Sequence, residues 1–127
     1  MQVEKKDMNN LRKIGMEVRE KFFGEDGPKA LERLQKYSPR IARWMVENLF
    51  GEVYANTALD LRTRSLCTIS ALMVLGNETV LKNHFRAALR IGITKEELSE
   101  LITHIFWYAG LPAASRAISV LDTLVGE

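Results

Sequence analysis

The sequence predicts an all-α fold, a compact bundle of about six to seven helices. Apolar residues recur at spacings of three and four along most of the chain, and no stretch alternates with period two. The breaks between periodic segments fall on Gly, Pro or a side chain suited to capping a helix.

Taken in order, Met8, Leu11, Ile14, Val18 and Phe22 form one face of a first helix, with Asp7 as its N-cap and its end near Gly24. Pro28 suits the first position of a short second helix, and Pro39 ends it. A third helix is expected from Pro39 to about Tyr54. "NTALD" breaks the pattern, and Asp60 caps a fourth helix carrying "LRTRSLCTISALMVLG". That segment is apolar all round after Leu66, the signature of a central helix. Gly76 and Asn77 separate it from a fifth helix, which Gly92 closes from the left-handed C′ position. Thr94 and Glu97 stand at capping-box spacing and start a sixth helix that reaches Ala109. Gly110 and Pro112 interrupt the chain before a last helix with Ala113, Ala117, Leu121 and Leu124 on one side.

The 127 residues suit one domain with a real core, spanning the whole chain. Its 18 basic and 16 acidic residues alternate, so no basic stripe is present to track a phosphate backbone, and nucleic acid is not an expected partner. The longest mostly apolar run, Leu66 to Gly76, falls well short of the roughly 20 residues that span a bilayer, so no membrane partner is expected. No apolar stretch follows the charged N-terminus, so a secretory leader is not expected. One cysteine, Cys67, cannot make an internal disulfide and fits a reducing, cytoplasmic setting. So many amphipathic helices in so short a chain leave apolar faces for a second copy, which points to a homo-oligomer.

Within "GNETVLKNHFRAAL", His84 falls at the centre of the apolar arc of the fifth helix, flanked by Asn77, Val80, Ala88 and Ile91. An imidazole there is either a packed core histidine or the reactive group of an enclosed site; desolvation disfavours its charged form. Glu52 shares an arc with Ile41, Met45 and Leu49, with Asn48 one turn before it. If desolvated, that carboxylate needs a partner; the alternative is a solvated residue at a helix end. His104 lies with Glu97, Glu100, Leu101 and Tyr108 on a mixed strip, which is a solvent face, a cleft or a subunit contact. Arg62 and Arg64 at the start of the fourth helix have the chemistry to hold an anionic substrate, or to form structural ion pairs. Cys67 has no CxxC partner, and two histidines without further soft ligands make a poor zinc set, so neither thiol nor metal chemistry is expected.

The order of these residues is informative. "FGEVY", "TRSL", "LGNE", "HFRAAL", "GITKEEL" and "HIFWYAGLPAA" follow one another in a pattern that resembles the carboxymuconolactone decarboxylase family. The resemblance covers roughly residues 30 to 124, leaving residues 1 to 29 as an N-terminal helix and loop. It implies an alkylhydroperoxidase D-like, all-α, oligomeric fold, with a trimer or hexamer suggested. The redox branch of that fold carries a CxxC before the matching histidine and a glutamate upstream. Here those positions hold Asn77, Val80 and Ser65, so the attacking and resolving thiols of that chemistry are missing.

The resemblance therefore implies the decarboxylase branch. These cytosolic enzymes of aromatic catabolism convert 4-carboxymuconolactone to 3-oxoadipate enol-lactone and CO₂ without a cofactor. It implies a small carboxylated lactone as substrate and His84, Glu52 and His104 as the catalytic set. His84 would act as general acid or base, and Glu52 would orient it or relay a proton. His104 and Tyr108 would complete the pocket, and Arg64, Tyr108 and Asn48 would bind substrate. Two alternatives stand beside this expectation: a redox protein of the alkylhydroperoxidase D type, disfavoured by the missing thiols, and a non-catalytic oligomeric binding protein.

Overall fold

Seven α-helices and one π-helical segment account for most of residues 5–125, which the computed structural model describes; no strand occurs among them. The order is α1 (Lys5–Phe23), α2 (Asp26–Tyr37), α3 (Pro39–Trp44), the π segment (Met45–Tyr54), α4 (Leu61–Leu75), α5 (Glu78–Arg90), α6 (Lys95–Ala109) and α7 (Leu111–Val125). They group into two compact units, residues 1–61 and residues 62–127.

In the first unit, α1 already runs through Asp7, which is therefore a helical residue and not the expected N-cap. Helix α2 begins two residues ahead of Pro28. Proline is tolerated there because the first four N–H groups of a helix have no acceptor within it. Ser38 caps α3, its Oγ accepting from the Ile41 N–H at 3.3 Å, and Pro39 occupies the first turn. From Met45 the expected third helix continues in wider turns, with bonds from i to i+5 in place of i to i+4.

Backbone contact explains why the predicted face of α1 is not the one most deeply buried. A Cβ at Gly15 would lie 1.9 Å from the Val46 carbonyl oxygen, and one at Gly51 would lie 2.3 Å from that of Leu11. Helix α1 and the π segment thus cross on two glycines with no side chain between them. Gly15, Arg19 and Phe22 are buried along the crossing, whereas Met8 is exposed and Leu11, Ile14 and Val18 are half-buried. The rings of Phe22 and Tyr54 and those of Phe23 and Phe50 meet edge to face, each pair at 5.6 Å.

The second unit is built on an apolar core to which Ile69 and Met73 of α4, Leu81, Phe85 and Ala88 of α5, Leu98 and Ile102 of α6, and Ala117 and Leu121 of α7 contribute. Helix starts follow the sequence closely. Asn77 Oδ1 accepts from the Val80 N–H at 3.1 Å, and Thr94 with Glu97 forms the reciprocal capping box. Gly76 and Gly92 end α4 and α5 at φ of +77° and +98°, in the region where a Cβ is strained. Arg62 and Glu97 form an ion pair. Helix α4 differs from expectation: only Ser65, Ile69 and Met73 are buried, while Cys67, Val74 and Leu75 are exposed. An all-round apolar sequence thus buries a single line of side chains. No helix among the described residues is long and apolar enough to cross a membrane.

Candidate active site

Helix α5 positions His84. Its capped start fixes the register, and Leu81, Phe85 and Ala88 face the core of the second unit. The centre of the buried face is therefore Phe85, and His84 sits on its shoulder, partly shielded; a 3.6-residue wheel puts the imidazole at the centre because it counts Val80 and Ile91, which are only half-buried. Desolvation pulls the His84 pKa down from 6.5 to about 4, so the ring is neutral at neutral pH. Its Nδ1 is buried with no hydrogen bond of its own, although the residue takes part in another interaction within the fold. A shielded neutral imidazole can accept a proton when an anion arrives beside it, because an opposite charge restores the stability of the imidazolium.

The other predicted residues have more open settings. His104 and Tyr108 lie on the outward strip of α6, both exposed, with ring centroids 5.4 Å apart. Arg64 is half-buried and already takes part in an interaction within the fold. In the first unit, Glu52 and Asn48 are exposed on the π segment. The arc expected to bury Glu52 is itself outward, since Ile41 is 48% and Leu49 41% exposed. The buried line is Ala42, Val46, Phe50 and Tyr54, which the 3.6-residue wheel did not select.

Helices α6 and α7 flank an open cleft of about 440 Å³, with Ile102, Phe106, Ala114 and Ile118 along its walls and Lys95 and Asp122 among its polar lining. None of the six residues named from the sequence lines it. No group of three or more His, Cys, Asp or Glu gathers as a metal site among the described residues.

Two polar residues that the sequence reading did not single out as site residues stand out in the second unit. Ser65 is fully buried and its Oγ has no hydrogen-bond partner, and the Nε of Arg116 is likewise buried without one. Buried polar groups are nearly always satisfied, so each such atom calls for an explanation. The available signal for Arg116 was a cation set among Ala113, Ala114 and Ala117, on a helix whose inner side is otherwise small and apolar.

The chain is similar to several known proteins. The chain is 40% identical over 111 residues to the 4-carboxymuconolactone decarboxylase of Acinetobacter baylyi, covering 87% of this chain and 83% of that one. It is 34% identical over 99 residues to an uncharacterised protein of Paracoccus denitrificans, covering 76% and 74% of the two chains. Over 116 residues it is 26% identical to a nitrosuccinic acid decarboxylase of Metarhizium robertsii, covering 89% and 80%. The model of the carboxymuconolactone decarboxylase family matches residues 39–123, from the start of α3 into α7. The chain belongs to the carboxymuconolactone decarboxylase family.

Proposed function

We propose that the protein is a cofactor-independent carboxy-lyase that decarboxylates 4-carboxymuconolactone or a related small carboxylated lactone. The observation that carries this reading is the shielded, neutral imidazole of His84 on α5. Two relatives named as decarboxylases support the reaction class.

Loss of CO₂ breaks a carbon–carbon bond and leaves its electron pair delocalised into the unsaturated lactone, where a proton must then be added. Burial holds His84 uncharged at neutral pH. A bound anionic substrate raises its pKa, so the ring takes up one proton from solvent on binding and delivers it to carbon after CO₂ departs. The overall balance is one carboxylate and one proton in, one C–H bond and one CO₂ out. Glu52 and His104 are the other proton-handling residues of this reading, and Arg64, Tyr108 and Asn48 bind substrate. The enzyme works in the cytoplasm as a homo-oligomer, which would cover exposed apolar side chains such as Trp107, Leu111 and Ile118, at 80%, 66% and 57% exposure.

The test is CO₂ release from 4-carboxymuconolactone by the purified protein. His84→Ala, folded by circular dichroism, is expected to lower kcat by about 10²- to 10⁴-fold, the usual contribution of a positioned acid or base. Absence of CO₂ release by the unaltered protein removes the named substrate, and an unchanged rate in His84→Ala removes the mechanism.

A further inference from the structure

Helix α7 carries one cation on its inner flank. Arg116 is half-buried, and its guanidinium lies against Gly76, at the turn between α4 and α5. A Cβ on that glycine would meet Nη2 at 3.4 Å and both Cζ and Nε at 3.7 Å. These are ordinary van der Waals distances, so the guanidinium rests in contact with the turn, and it is the φ of +77° that favours glycine there. The neighbouring Ala113 and Ala117 are buried and small, which lets the long side chain lie along the unit instead of extending into water.

The seat gives the guanidinium nothing to bind. Nε is buried without an acceptor, and Arg116 makes no ion pair or hydrogen bond among the described residues. An unmade hydrogen bond from a buried donor is costly, so the orphaned Nε calls for an explanation. Asn77, the next residue after the seat, caps α5, and His84 follows seven residues later, about 10 Å along the helix axis. A guanidinium fork at one end of this stretch and an imidazole further along it suit a small molecule with a carboxylate at one end and a reacting carbon at the other.

We propose that Arg116 anchors the carboxylate of the substrate that survives decarboxylation, leaving the departing carboxyl and its carbon to His84. The identity of the anion rests on the decarboxylase reading. The presence of an anion site at Arg116 rests on the geometry alone. Arg116 is a positioning residue here, and it supplies a planar pair of donors that lysine cannot reproduce.

The probe is 2-furylacetate, an oxygen ring bearing an acetate arm and no carboxyl that can leave. Calorimetric titration is expected to show binding to the unaltered protein, weakened by about 10- to 100-fold in Arg116→Gln, the range for one hydrogen bond to a charged group. Arg116→Lys should retain part of the affinity. With 4-carboxymuconolactone, Arg116→Gln should raise KM by a similar factor while kcat stays within a few-fold. Equal affinity for 2-furylacetate in the unaltered protein and Arg116→Gln, or no binding to either, overturns the anchor. So does a loss of binding accompanied by a fall in Tm and not partly rescued by lysine, because a structural arginine would behave that way. If the unaltered protein binds 2-furylacetate through Arg116 but releases no CO₂, the decarboxylase reading fails and the anion site stands. If it releases CO₂ with KM unchanged in Arg116→Gln, the anchor fails and the reading stands.

Discussion

The two units each enclose an arginine and treat it in opposite ways. In residues 1–61, Arg19 is 4% exposed, yet its Nη2 donates to the Gly27 carbonyl at 3.1 Å and its guanidinium lies 5.2 and 5.1 Å from the Phe23 and Phe50 ring centres. In residues 62–127, Arg116 is more open and has a buried Nε with no acceptor. The first cation is held by the fold that buries it. The second is positioned but not satisfied, as is the Ser65 hydroxyl in the same unit. Structural burial completes a polar group's bonds, whereas a site that must receive a ligand leaves some of them open. By that criterion Arg19 belongs to the packing of the first unit, while the buried polar atoms left without a hydrogen bond lie in the second.

The largest effect expected from this contrast lies at the glycine crossing of the first unit. Gly15→Ala would set a methyl group 1.9 Å from a backbone oxygen, which no rotamer change relieves. Separating α1 from the π segment would also open the Phe22, Phe23, Phe50 and Tyr54 cluster. A loss of about 3 kcal/mol or more is expected in urea denaturation, the upper range for overpacking. A loss below about 1 kcal/mol would mean that the two backbones are not locked together. Gly92→Ala in the second unit meets no atom within 4 Å and is strained only by its φ of +98°, so its smaller cost serves as the control.

A second test uses the titration of His84. Its folded pKa is about 4 against an ordinary 6.5, so between these values the unfolded chain binds more protons than the folded one. Stability is therefore complete above pH 6.5 and falls as pH drops toward 4. The difference corresponds to at most about 3 kcal/mol. Urea midpoints measured from pH 7 to pH 4 should decline, and His84→Gln should remove that part of the slope. A slope unchanged by the substitution would show that the ring is solvated, contradicting the shielding on which the proposed proton transfer rests.

The sequence was most legible where local chemistry decides. The Thr94 and Glu97 cap, the Asn77 break and the glycine ends of α4 and α5 need only their own neighbours, and each lies where the pattern put it. Legibility failed where burial depends on an unseen partner. The wheel through Ile41, Met45 and Leu49 followed 3.6-residue turns into a segment that changes to π turns, and it took an outward arc for an inward one. Gly15 and Gly51 have no hydrophobic signal, although they define the packing of the first unit. Likewise α4 is apolar on all sides after Leu66, so periodicity had no way to tell which line would be buried. His84 was legible as an exception to its helix face. Arg116 was passed over because a cation in a helix usually marks the solvent side, and only its seat on Gly76 reveals otherwise.

The smallest expected effect separates the two arginines directly. Arg19→Met keeps the length of the stem but loses the bond to Gly27 and both ring contacts, which together are worth about 2 kcal/mol. Arg116→Gln gives up no bond that the fold makes, so its stability should stay within about 0.5 kcal/mol of the unaltered protein or rise slightly. The two variants, compared in one set of urea curves, should therefore differ by well over 1 kcal/mol, with the more exposed arginine the more dispensable to folding. Equal losses would show that Arg116 is held by contacts as firm as those around Arg19. Its orphaned Nε would then be a tolerated imperfection of packing, and the distinction between a satisfied and a waiting cation would disappear.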